Sequence, residues 1–120
     1  MENVKKSQKT DGIIYSQKDV IKDYIDKNYK KDISAKDVAS ILGYSDVYFS
    51  KVFKQLFDDN FINYLTGLRI NRAKELLKDV SFNIKEVGKS VGYADSNYFT
   101  KVFKRSIGMS PSEYRGKHKG

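Results

Sequence analysis

At 120 residues, with 39% hydrophobic side chains, the chain can bury one modest core or two small ones sharing a helix, and it leaves little room for an enzyme with a deep cleft. It has no cysteine and a single histidine, which excludes disulfides, thiolate metal sites and histidine clusters, and no apolar run nears the roughly 20 residues of a membrane span, so a soluble, cytoplasmic protein without metal or cofactor is expected. Lysine and arginine outnumber aspartate and glutamate by 23 to 15, and residues 83–120 hold eight of the basic side chains against three acids, the footprint expected of a surface for a polyanion.

Residues 1–15 are lysine-rich and aperiodic and read as a flexible arm or linker remnant. Ser16 can cap a first helix, in which Val20, Ile21, Tyr24 and Ile25 mark one face up to Tyr29 or so. This helix is expected to pack across a first unit formed by residues 16–59. Within it, Ser34 and Asp37 spell a capping box with aspartate as the acid, opening a short helix whose apolar contacts are Val38, Ala39, Ile41 and Leu42. Gly43 ends that helix and Ser45 caps the next. The latter turns Phe49, Val52, Phe53, Leu56 and Phe57 to one side and leaves Val47, Ser50, Lys51 and Lys54 on the other.

Residues 60–79 form the longest periodic segment, a linker helix on which Phe61, Tyr64, Leu65, Leu68, Ile70, Ala73, Leu76 and Leu77 recur at helical spacing. Twenty residues would span about 30 Å. Gly67 inside this helix costs about 1 kcal/mol against alanine, which points to a close packing contact there. Residues 80–117 then form a second unit. Asn83 and Glu86 make a capping box for a short helix with Ile84, Val87 and Val91 facing inward, and Gly92 stops it. The following helix, starting near Asp95 or Ser96, buries Phe99, Val102, Phe103 and Ile107 and leaves Ser96, Asn97, Thr100, Lys101, Lys104 and Arg105 outward or nearly so. Gly108 ends it, and Ser110, Pro111 and Glu113 give cap, first-turn proline and capping acid for a final short helix. From Arg115 onward the chain reads as a basic, frayed end, with residues 118–120 as a tail.

The two units are copies. Val38, Gly43 and Tyr44 match Val87, Gly92 and Tyr93 at an offset of 49, whereas Phe49, Lys51, Val52, Phe53 and Lys54 match Phe99, Lys101, Val102, Phe103 and Lys104 at an offset of 50, so one residue is inserted between, beside Ser96. Two copies are too few for a solenoid and suit a duplicated reading module, each a short helix, a glycine turn and a longer helix. The phenylalanines, paired with valine at helical spacing, are core and not a base-stacking platform, and Tyr44, Tyr48, Tyr93 and Tyr98 read as packing residues. Lys51 and Lys101 hold the same outward position in both copies and read as contacts to the polyanion. For Arg69 and Arg72, an ion pair with an acidic neighbour and a phosphate contact both stay open.

The run Tyr64-Leu65, Leu68-Arg69-Ile70, Ala73, Leu76-Leu77, then Ile84 to Val87, Gly92-Tyr93, Tyr98-Phe99, Phe103-Lys104, Gly108, Ser110-Pro111 and Tyr114-Arg115 resembles the DNA-binding domain of AraC/XylS-type transcription regulators. The resemblance covers residues 16–117. It implies an all-α fold of seven helices, two helix-turn-helix subdomains joined by the linker helix, and two longer helices that enter successive major grooves, whose faces lie about 34 Å apart. By motif position it puts base-edge contacts at Val47, Ser50 and Lys51 in the first unit and at Ser96, Asn97, Thr100 and Lys101 in the second, where lysine can donate to guanine, asparagine can pair with adenine, and valine or the threonine methyl can meet a thymine methyl. Lys54, Lys104 and Arg105, with the helix N-termini at Ser34 and Asn83, are phosphate candidates.

One departure stands out. Asp58 occupies the position matched by Gly108, where the family usually has glycine, and a carboxylate there makes the first unit the weaker binder. The implied function is sequence-specific reading of double-stranded DNA in transcription regulation, by the C-terminal domain of a larger regulator or by a stand-alone short activator, with RNA polymerase as a further partner and no catalytic residue. The family includes helical domains attached to DNA-repair methyl acceptors, but that chemistry needs a reactive cysteine. A helical protein-interaction module is the remaining alternative, and it would require exposed apolar stripes that the sequence does not show. Two readers in one chain let a monomer bind a two-part site.

Overall fold

The computed structural model describes residues 16–118, which form seven helices and no strand: α1 (Gln17–Asn28), α2 (Ala35–Leu42), α3 (Asp46–Phe57), α4 (Phe61–Leu77), α5 (Ile84–Ser90), α6 (Ser96–Ile107) and α7 (Pro111–His118). This is the all-α architecture expected. The arm at 1–15 and the tail residues 119–120 lie outside the described residues.

Side-chain caps set the helix boundaries. Ser34 Oγ accepts from the Asp37 N–H at 3.1 Å while Asp37 Oδ2 accepts from the Ser34 N–H at 3.1 Å. Asn83 with Glu86 and Ser110 with Glu113 repeat the exchange at α5 and α7. Each box satisfies two of the backbone donors that a helix start leaves unpaired. At the C-terminal end of α6 the backbone turns left-handed at Gly108 (φ 88°), and at the same place after α3 it does so at Asp58 (φ 58°, ψ 31°), the one non-glycine residue with positive φ among those described. Both donate the same closing bond, Asp58 N–H to the Lys54 carbonyl at 2.9 Å and Gly108 N–H to the Lys104 carbonyl at 2.8 Å.

The chain divides into two compact units, one running through Asn28 and from Ile33 to Phe61, the other taking Tyr29–Asp32 and everything from Ile62 on. In the first, Ile21 and Ile25 of α1, Val38 and Ala39 of α2, and Phe49, Val52 and Phe53 of α3 are buried. Phe61, the first residue of α4, completes an aromatic group with Phe49 and Phe53 at ring separations of 6.1 and 5.7 Å. In the second unit Val87 and Val91, Phe99, Val102 and Phe103, with Ile70, Ala73, Leu77, Tyr93 and Tyr114, form the core. The phenylalanines thus sit inside, as their spacing predicts.

Several local expectations differ from what is found. Helix α4 has 17 residues, hence about 26 Å of axis and not 30 Å. Gly67 is exposed and a Cβ there would meet nothing within 4 Å; the close contact is at Gly88, where an added Cβ would lie 2.8 Å from the Phe99 ring. Ile41 is 61% exposed because it stands two positions, about 200° around the helix, from the buried Ala39. The inserted residue falls in the second turn, as Ala94, since Ser45 and Asp95 are the equivalent N-caps of α3 and α6; it does not fall beside Ser96.

Arg115 is no part of a frayed end. It lies within α7, and its guanidinium donates to three carbonyls, Leu77 O at 2.7 Å, Asp79 O at 3.1 Å and Phe82 O at 2.6 Å, holding the loop between α4 and α5. Arg69 does the same for the segment after α1, donating to Tyr29 O at 2.9 Å and Lys31 O at 2.8 Å. Its partners are carbonyls, not an acidic neighbour, and its charge lies over the Tyr93 ring at 5.3 Å. Arg72 lies over the ring of Tyr29 at 5.8 Å.

Candidate nucleic-acid interface

Helices α3 and α6 share one inner face and differ on the outer one. Phe49, Val52 and Phe53 are buried in the first unit, and Phe99, Val102 and Phe103, each 50 positions on, are buried in the second. Because a helix turns about 100° per residue, fixing these three positions inward drives 47, 50, 51 and 54 outward, and likewise 97, 100, 101 and 104. Val47 is 81% exposed, and Ser50, Lys51 and Lys54 are exposed beside it. On α6, Asn97, Lys101, Lys104 and Arg105 are exposed, while Ser96 and Thr100 are half-buried. An exposed valine on an otherwise polar face has no packing role, but it suits contact with a thymine methyl.

The turn before each of these helices is built identically. Tyr44 N–H donates to the Ala39 carbonyl at 2.8 Å and Tyr93 N–H to the Gly88 carbonyl at 2.9 Å, bonds that fold α2 back toward α3 and α5 toward α6. Gly43 (φ 74°) and Gly92 (φ 106°) supply the left-handed residue. At Gly92 there is a second requirement, since a Cβ would lie 2.9 Å from Arg69 Nε and 3.0 Å from the Tyr29 carbonyl oxygen. The tyrosines after these glycines are held from α1 in the first unit and from α4 in the second. Gln17 Nε2 donates to the Tyr44 hydroxyl in the first unit, and Tyr93 is hydrogen-bonded by Arg69 and Thr66 in the second. Burial pushes the Tyr93 hydroxyl above its usual pKa, with the Arg69 charge pulling the other way.

The charges of this surface are uncommitted. On α1 Lys22 pairs with Asp26 and Lys27 with Asp23, whereas among the described residues Lys51, Lys54, Lys101 and Arg105 have no acidic partner. Lys104 lies near enough to Glu113 to help lower that carboxyl's pKa, chiefly depressed by hydrogen bonds from Ser110. Ser34 and Asn83 use their side-chain oxygens as caps, so only the Ser34 hydroxyl proton and the Asn83 amide N–H groups are left to donate outward. Among the described residues no group of three or more histidine, cysteine, aspartate or glutamate side chains could hold a metal ion, and no helix is long and apolar enough to cross a membrane.

Sequence matching alone missed one residue of this face. With the insertion at Ala94, the equivalent of Ser96 is Asp46, the exposed first residue of α3. The signal was available in the caps, because serine at 45 and aspartate at 95 are both favoured N-cap residues 50 positions apart. Like Asp58, Asp46 sets a carboxylate beside the outward face of the first unit.

A family model described as a helix-turn-helix domain matches residues 38–117. The uncharacterised helix-turn-helix type transcriptional regulator YijO of Escherichia coli K12 is 38% identical over 97 residues, covering 81% of this chain and 34% of the relative. The lactose operon transcription activator of Staphylococcus xylosus is 36% identical over 93 residues, covering 78% and 33%. The chain therefore spans about a third of the length of these curated relatives. Among solved structures, the C-terminal domain of AraT, a response regulator from Geobacillus stearothermophilus, superposes with a TM-score of 0.84 at 34% identity, covering 88% of this chain and 89% of that one.

Proposed function

Because the chain belongs to the AraC-type family of helix-turn-helix DNA-binding domains of transcription regulators, we propose that α3 and α6 each enter a major groove and together read a two-part site on double-stranded DNA. The observation that carries this reading is the duplicated inner face of phenylalanine, valine and phenylalanine beneath two outer faces that share their lysines and differ at Val47 against Asn97 and Ser50 against Thr100. In this reading Val47, Ser50 and Lys51 contact base edges of one half-site, and Ser96, Asn97, Thr100 and Lys101 those of the other. Lys54, Lys104 and Arg105 neutralise phosphates, and the uncharged donors left at Ser34 and Asn83 can hydrogen-bond to them.

The protein binds DNA without transforming it, as a monomer, in the cytoplasm at the nucleoid. The likeness to the Staphylococcus xylosus activator supports activation, with RNA polymerase as a second partner, and the likeness to the AraT domain supports a C-terminal position in a larger regulator. The test is fluorescence anisotropy against a randomised duplex pool at two salt concentrations, followed by selection from the pool. Enrichment of two half-sites about 10 base pairs apart is the expected result. Absence of binding at low salt would overturn the reading, and a single enriched half-site would confine it to one unit.

A further inference from the structure

Tyr48 and Tyr98 read as packing residues in the sequence, yet they are 49% and 53% exposed, unlike Tyr93, which is buried. They stand 50 positions apart, each in the first turn of its outward-facing helix, and each ring lies against the tyrosine of the turn: Tyr48 T-shaped to Tyr44 at 5.0 Å and Tyr98 tilted to Tyr93 at 5.8 Å between ring centres. Among the described residues neither hydroxyl has a hydrogen-bond partner, whereas those of Tyr44 and Tyr93 are engaged from behind. Each free tyrosine is therefore braced on a fixed one, with its polar tip left to the outside.

We infer that Tyr48 and Tyr98 donate their hydroxyls to DNA phosphates, one in each half-site, as positioning contacts that carry no base sequence. The inference rests on the groove reading proposed above. Its main support is a contrast between the two copies. Among the outward residues proposed to read bases, Val47 differs from Asn97 and Ser50 from Thr100, with only Lys51 and Lys101 alike, while Tyr48 and Tyr98 are identical, as are the phosphate candidates Lys54 and Lys104. A phosphate looks the same whatever the base, so a residue that meets phosphates can stay the same in both copies. A phenol loses little side-chain entropy on binding, having only two rotatable side-chain bonds before its hydroxyl, and it donates without adding charge.

The last point separates a tyrosine contact from a lysine one. Tyr48→Phe and Tyr98→Phe remove only the hydroxyls and leave the ring contacts, so the fold, followed by far-ultraviolet circular dichroism and thermal melting, serves as the control. With a duplex recovered by selection, each variant is expected to bind roughly three- to tenfold more weakly, the loss of one hydrogen bond, by the same factor on that duplex and on single-base mismatches of it. The slope of affinity against salt concentration stays that of the parent protein, because no counterion-releasing charge is lost. Unchanged affinity in both variants would overturn the proposal and return the pair to packing, and a factor that depends on the base at one position would make them base readers. Failure of the parent protein itself to bind would count against the groove reading and is distinguishable from either.

Discussion

At the scale of single residues, the glycines separate conformational need from spatial need. Gly88 has ordinary helical geometry but no room for a Cβ beside Phe99, so Gly88→Ala is expected to overpack the second core and cost about 1–3 kcal/mol in urea unfolding. Gly67→Ala, on an exposed helical position with open space around it, is expected to gain about 0.5–1 kcal/mol in the same assay. The sequence cannot tell these two apart, because helix propensity scores both as defects and says nothing of the neighbour. A hint lies in the repeat, where Gly88 matches Ala39, a buried small residue. Arg69 and Arg115 were illegible for a related reason. Their partners are backbone carbonyls, which every residue carries, so nothing in the chain's letters marks the acceptors. Removing either guanidinium strands carbonyls in partly buried loops, and Arg69→Ala or Arg115→Ala is expected to cost about 1.5–3 kcal/mol, read as a lowered urea midpoint.

At the scale of elements, the caps were the most legible feature. Serine, asparagine or aspartate before a helix and an acid three residues on can satisfy the same donors wherever they occur, so four letters suffice to place α2, α5 and α7. Helix lengths were less so: the apolar residues of the linker helix, Phe61 to Leu77, end where α4 ends, and the polar residues 60, 78 and 79 that the expected span added are not helical. The caps also carry a pH dependence. Hydrogen bonds from Ser110 hold the Glu113 carboxyl below its ordinary range, so its folded pKa lies under its unfolded one; the stability it gives α7 is present above the unfolded pKa and is lost as pH falls through the folded one. Glu113→Gln is therefore expected to flatten the acid limb of the melting temperature against pH without altering it near neutrality in slope. At the end of α3, Asp58→Gly relieves a left-handed conformation that costs an L-residue about 1–2 kcal/mol, offset in part by glycine's own entropy, and the net expectation is a small rise in melting temperature.

At the scale of the whole molecule, the charge decides how binding responds to salt. Lys54→Ala and Lys104→Ala are each expected to reduce the slope of log affinity against log salt by about one, and to do so on any duplex. Asp46→Asn and Asp58→Asn, which remove carboxylates from the outward side of the first unit, should raise affinity for mixed-sequence DNA, most at low salt. The duplication, and with it the all-α plan, could be read from the sequence because buried phenylalanines and turn glycines recur in register. Which outward residues meet bases could not, since a solvated face and a groove face obey the same pattern of polarity. Helices α3 and α6 bury the same phenylalanine, valine and phenylalanine, so outer residues can be exchanged between copies over the same three inner side chains. A lineage carrying such a domain can let one half of its operator drift while the other is held, and an engineer can rewrite the halves one at a time.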